Sequence, residues 1–60
     1  MANIDKTSLS IVQIVRQLHQ VPIDYIARSL GQSRPEIERY LDILEQEGAV
    51  RRVDDSVVEP

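Results

Sequence analysis

The sequence predicts a mainly α domain, three helices followed by a small β-hairpin. Three observations carry this. Apolar residues recur at helical spacing in three separate stretches. Pro22, Gly31 and Gly48 stand where those stretches should break or stop. Beyond Gly48 the pattern changes to β-branched valines on either side of an Asp54-Asp55-Ser56 cluster, the layout of two short strands and a turn.

Residues 1 to 8 offer Asp5, Thr7 and Ser8 as helix caps. Helix one is expected from about residue 8 to His19. At 100° per residue, Ile11, Ile14, Val15 and Leu18 share one face, with Lys6, Ser10, Gln13 and Gln17 opposite. Val12 sits at the edge of the apolar face, and Leu9 falls among the polar residues. Pro22 ends any preceding helix and suits the first turn of the next, leaving Val21 for a very short strand. Helix two then places Ile23, Ile26, Ala27 and Leu30 on one face and stops at Gly31. Ser33 is the expected N-cap of helix three, Glu36 completes a Ser-x-x-Glu capping box, and Pro35 fits the first turn. That helix runs to about Glu47, with Ile37, Leu41 and Leu44 inside and Tyr40 at the border. Val50, Val53, Val57 and Val58 form the hairpin, and Pro60 closes the chain. Ile26, Leu30, Ile37, Leu41 and Leu44 are expected in one core. The whole of 1–60 reads as a single domain with its core over about 8–58, without repeat, low-complexity segment or linker.

Composition narrows the function. A 60-residue chain buries only about 60% of the surface its unfolded form exposes, so a core this small is marginal. There is no cysteine and only one histidine, His19, so neither a disulfide framework nor a metal site is expected. The net charge is −3, which argues against non-specific nucleic-acid binding. No apolar run approaches the roughly 18 residues of a membrane span, and the N-terminus lacks the layout of an export signal. A cytoplasmic, membrane-free protein is the expectation. No nucleophile stands beside a base and no glycine-rich phosphate loop is present. An enzyme is therefore not expected, nor a cofactor or small-molecule site.

The stretch "VPIDYIARSLGQSRPEIERYLDILEQEGAVRRV", residues 21–53, resembles the winged helix-turn-helix superfamily. The pattern is Ile26-Ala27, Leu30-Gly31, Ser33-Arg34, then Ile37, Leu41, Leu44 and Glu47-Gly48. The likeness covers roughly residues 9 to 58. It implies a three-helix winged helix-turn-helix fold, with the third helix lying in the DNA major groove. Carried over by position, Gln32, Ser33, Arg34, Glu36, Glu38 and Arg39 would face that groove. Arg34 or Arg39 would bridge guanine O6 and N7, and Glu36 or Glu38 would accept from cytosine N4. The wing would bring Arg51 and Arg52 to phosphates or a minor groove, and Arg28 would reach the backbone. The chain departs from the superfamily at Glu36 and Glu38, where many members carry Ser, Thr, Arg or Lys.

Two functions follow. The resemblance implies a DNA-binding module, a transcriptional regulator or its reading domain. The alternative is a winged helix used for protein interaction, as a dimerisation or adaptor module without DNA binding. It rests on the acidic balance, on the five acids Glu36, Glu38, Asp42, Glu45 and Glu47 of helix three, and on misplaced apolar residues. Leu9 and Val12 mark a protein partner or self-association through helix one. Ile43, on the outer side of helix three, either contacts a partner or packs under the hairpin.

Overall fold

The computed structural model describes residues 6–60. The order is α1 (Lys6–Leu18), β1 (Gln20–Pro22), α2 (Ile23–Leu30), α3 (Arg34–Gln46), β2 (Arg51–Val53) and β3 (Ser56–Val58). The fold is mainly α with a small, wing-like antiparallel sheet. That sheet has three strands in the order β1-β3-β2, so the C-terminal strand lies in the middle. Val21 pairs with Val57, and Arg52 pairs with Val57 from the other side. Directly opposed residues share a sheet face. The row Val21, Val57, Arg52 therefore lies on the inner face, and both valines are fully buried.

The two glycine stops are built alike. Gly31 (φ 67°) and Gly48 (φ 76°) take the left-handed conformation. After α2, Gln32 N–H donates to Ala27 O (3.0 Å) and Gly31 N–H to Arg28 O (3.3 Å). After α3, Ala49 N–H donates to Leu44 O (2.9 Å) and Gly48 N–H to Glu45 O (3.0 Å). Each pair satisfies carbonyls that a helix end leaves without partners, in the Schellman arrangement. The first helix ends without a glycine: His19 takes φ 69°, a region that His tolerates better than most residues. Its Nδ1 meets Glu59 Oε1 at 2.7 Å, and Glu59 N–H donates to His19 O at 3.1 Å, so the C-terminal end is clasped to this bend.

α2 has no side-chain cap. Pro22 precedes it in an extended conformation, and Ile23 N–H donates to Asp55 O in the hairpin turn at 2.8 Å. One orphan donor of α2 is thus satisfied by the wing. Asp54 turns that hairpin at φ 55°, which an Asp side chain accommodates. At α3, Ser33 Oγ accepts from Glu36 N–H at 3.4 Å. This is one half of the expected capping box and a long bond; the Glu36 carboxylate gives no return bond among the described residues.

The core is continuous through all elements. It contains Ile11 and Val15 of α1, Val21, Ile23, Ile26 and Ala27, then Ile37, Leu41 and Leu44, and Val50 and Val57 of the hairpin. Several expectations are corrected. α1 runs over Lys6–Leu18, starting two residues early and ending before His19, so Thr7 and Ser8 lie inside it; the candidate cap Asp5 lies outside the described residues. Leu30 is half-buried against the core rather than in it. Leu18 is 45% exposed, because α1 ends there, with only the groove toward α2 beside it.

Candidate interaction surfaces

Two surfaces carry the chemistry. The first is where α3 meets the wing. Arg34, at the first position of α3, meets three carboxylates from three elements. Its Nε reaches Glu38 Oε2 at 2.9 Å, its Nη1 Asp24 Oδ1 at 3.2 Å and its Nη2 Asp55 Oδ1 at 2.8 Å. The guanidinium thus clips α2, α3 and the hairpin turn together. Hydrogen bonds to Glu38 and Asp55 hold its pKa above the ordinary arginine range. Arg52 does the same one level along. Being on the inner face of the sheet, it points at α3, where Nε donates to Glu45 Oε1 (3.1 Å), Nη2 donates to Asp42, and Nη2 also lies 3.0 Å from Glu45 Oε1 as an ion pair. Burial opposes its charge, and the hydrogen bonds to Asp42 and Glu45 outweigh that and raise its pKa.

Charge bookkeeping on this surface is decisive. The two guanidiniums, Arg34 and Arg52, face five carboxylates: Asp24, Glu38, Asp55, Asp42 and Glu45. Two positive against five negative leaves −3, which equals the net charge of the whole chain. The remaining five basic and five acidic residues cancel.

The residues that the resemblance implied for DNA thus have different surroundings. Arg34 and Arg52 are occupied within the fold. Gln32 Nε2 donates to Thr7 Oγ1 at 3.1 Å, tying the α2–α3 turn to α1. Ser33 caps its own helix. Glu36 is exposed, and Glu38 holds Arg34. Arg39 and Arg51 are exposed and form no ion pair among the described residues, as does Arg28. Arg39 lies on the outer side of α3, and Arg51 lies on the sheet face opposite Arg52. The helix-two and hairpin carboxylates that engage Arg34 were not found from sequence. Their positions, 24 and 55, have meaning only once the chain is folded.

The apolar candidates also separate. Leu9 is 47% and Ile43 55% exposed. Ile43 does not pack under the hairpin; it lies half a turn around α3 from the buried stripe. Val12 is half-buried against the core and leaves Leu9 as the open member of the pair.

The second surface is a groove between α1 and α2. Ile14 and Leu30 are half-buried along it, and Leu18 and Tyr25 stand open beside it. Ser10, Gln13, Gln17 and Ser29 complete its lining. Among the described residues, no charged side chain lines it. Asp24 and Arg28 of α2 fall on the other flank of that helix, the side on which Asp24 meets Arg34.

No family model matches this chain, and no curated protein or solved structure matches it significantly. Fold and surfaces define the class alone: a three-helix domain with a wing-like sheet, compatible with a winged helix. No described helix is long and apolar enough to cross a membrane.

Proposed function

We propose that this domain is a winged helix used for protein interaction, an adaptor or dimerisation module. The observation that carries the reading is the closure of the α3–wing surface. In a DNA-binding winged helix that surface meets phosphates. Here two of its arginines, Arg34 and Arg52, are bonded to carboxylates, and that ion-paired cluster of two guanidiniums and five carboxylates carries −3. Binding a polyanion would require breaking those pairs and placing the released carboxylates beside phosphate. Affinity for DNA rises with the number of phosphates neutralised, and this surface supplies few free cations. Exposed Leu9 and Ile43 are the apolar residues that such an interaction module would offer to a partner.

DNA binding is the second reading. Arg39 and Arg51 favour it, as both are exposed and without an ion pair among the described residues. Selection of duplexes from a random pool, followed by fluorescence anisotropy at low and moderate salt, decides between the two. The interaction reading expects no enriched sequence and negligible binding at moderate salt. Selection of a defined sequence, lost in Arg39→Ala, would replace it with the DNA reading.

A further inference from the structure

We propose that the uncharged groove between α1 and α2 is a self-association surface whose occupant is the same groove of a second copy of this chain. This rests on the interaction reading above and names the partner.

The argument is electrostatic and geometric. A two-fold interface sets one patch against itself, so a residue near the axis meets its own copy. A charge there meets a like charge. The α3–wing surface, at −3, is unsuited to such pairing. The groove has the opposite character. Its polar residues are Ser10, Gln13, Gln17, Tyr25 and Ser29. Every one of those side chains both donates and accepts hydrogen bonds, so each can pair with an identical partner. Lysine or aspartate cannot. Leu18 and Tyr25, 45% and 50% exposed, supply the apolar contact, and tyrosine is enriched at interfaces because a rigid ring carries a polar tip. The charges of α2 are turned to its other flank, and Lys6 lies one helical turn before Ser10, beyond the groove.

Size sets the strength. A standard interface buries about 800 Å² per partner, roughly a fifth of the 4286 Å² this chain exposes. The groove residues alone provide less, so the dimer belongs to the concentration-dependent class.

Sedimentation equilibrium of the full chain without nucleic acid, from about 20 μM to about 1 mM, tests this. The expected result is a mass that rises toward two chains with concentration. Leu18→Lys and Tyr25→Glu should each weaken association at least about tenfold, while Val53→Thr, exposed on β2 and outside the groove, leaves it unchanged. Circular dichroism verifies that the variants fold. Gln17→Lys provides an independent arm, since it alters only the rim. It should weaken association at low salt and recover part of it at high salt, where the two introduced charges are screened. A chain that stays monomeric at the top concentration overturns the proposal, as does association insensitive to Leu18→Lys, Tyr25→Glu and Gln17→Lys. A monomer would leave the interaction reading open to a different partner. Selective duplex binding would overturn that reading and leave the sedimentation result standing.

Discussion

The α3–wing surface and the α1–α2 surface use opposite chemistry. The first is dense in charge, yet its principal cations are spent on the molecule itself: Arg34 joins α2, α3 and the turn, and Arg52 joins the wing to α3. The second is lined by no charged side chain among the described residues and keeps Leu18 and Tyr25 open. The difference teaches that an arginine at a nucleic-acid-reading position is no guide to binding until its partners are known. A surface rich in charge can be closed, and a bland one can be available.

Both surfaces hang on one core, so the largest effect comes from damaging it. Leu41 is fully buried beneath α3. Leu41→Ala should cost about 2–5 kcal/mol, enough to consume most of the stability of a domain this small. Urea unfolding measures it, and both surfaces should be lost together. A loss below about 1 kcal/mol would mean that α3 is not held by this packing.

The next effect is conformational. A Cβ built on Gly48 meets nothing within 4 Å, so Gly48→Ala costs only its left-handed backbone, about 1–2 kcal/mol. Gly48→Asn should recover part of that, because Asn visits this region more readily. If the two variants unfold alike, the stop after α3 has a different cause.

A third comparison lies within one dipeptide. Arg52 is on the inner face of the sheet and engaged; Arg51 is on the outer face and exposed. Arg52→Gln should cost up to about 1 kcal/mol, with the loss shrinking as salt is added. Arg51→Gln should be close to neutral. Equal losses would break the assignment of the two faces.

That dipeptide also marks where sequence reading stops. Local rules were enough for the elements. The spacing of Ile37, Leu41 and Leu44, the stops at Gly31 and Gly48 and the Ser33 cap each depend on neighbours within a turn or two. Alternation along a strand makes the neighbours Arg51 and Arg52 face opposite ways. Which one faces α3 depends on the pairing of Arg52 with Val57, and β3 in turn pairs with β1 across more than thirty residues. The three carboxylates around Arg34 come from positions 24, 38 and 55. Only the Glu38 contact has a local signature, the i,i+4 spacing of a helix. The bend at His19 escaped for another reason, because a histidine carries out a turn that glycine usually signals. The openness of Leu18 followed from where α1 ends, a boundary the periodicity placed one residue too late.

The smallest expected effect tests the closure of the α3–wing surface itself. Glu38→Gln with Asp55→Asn removes two of the three carboxylates around Arg34 and keeps amides of similar shape. These are surface ion pairs, which contribute little to stability, so the fold should survive and the melting temperature should shift slightly. The electrostatics change more. The surface moves from −3 to −1, and the Arg34 guanidinium becomes available. If the carboxylates are what exclude nucleic acid, weak and sequence-independent DNA binding should emerge at low salt and vanish at moderate salt. Each phosphate newly contacted adds about −0.9 to the slope of log affinity against log salt, so a slope of about −1 to −2 matches contacts by Arg34 and its neighbour Arg39. Adding Arg34→Gln to the double variant should abolish the gain. Should the double variant bind no DNA even at low salt, the closed ion pairs would not be what excludes it, and the shape of the α3–wing surface would have to be the barrier.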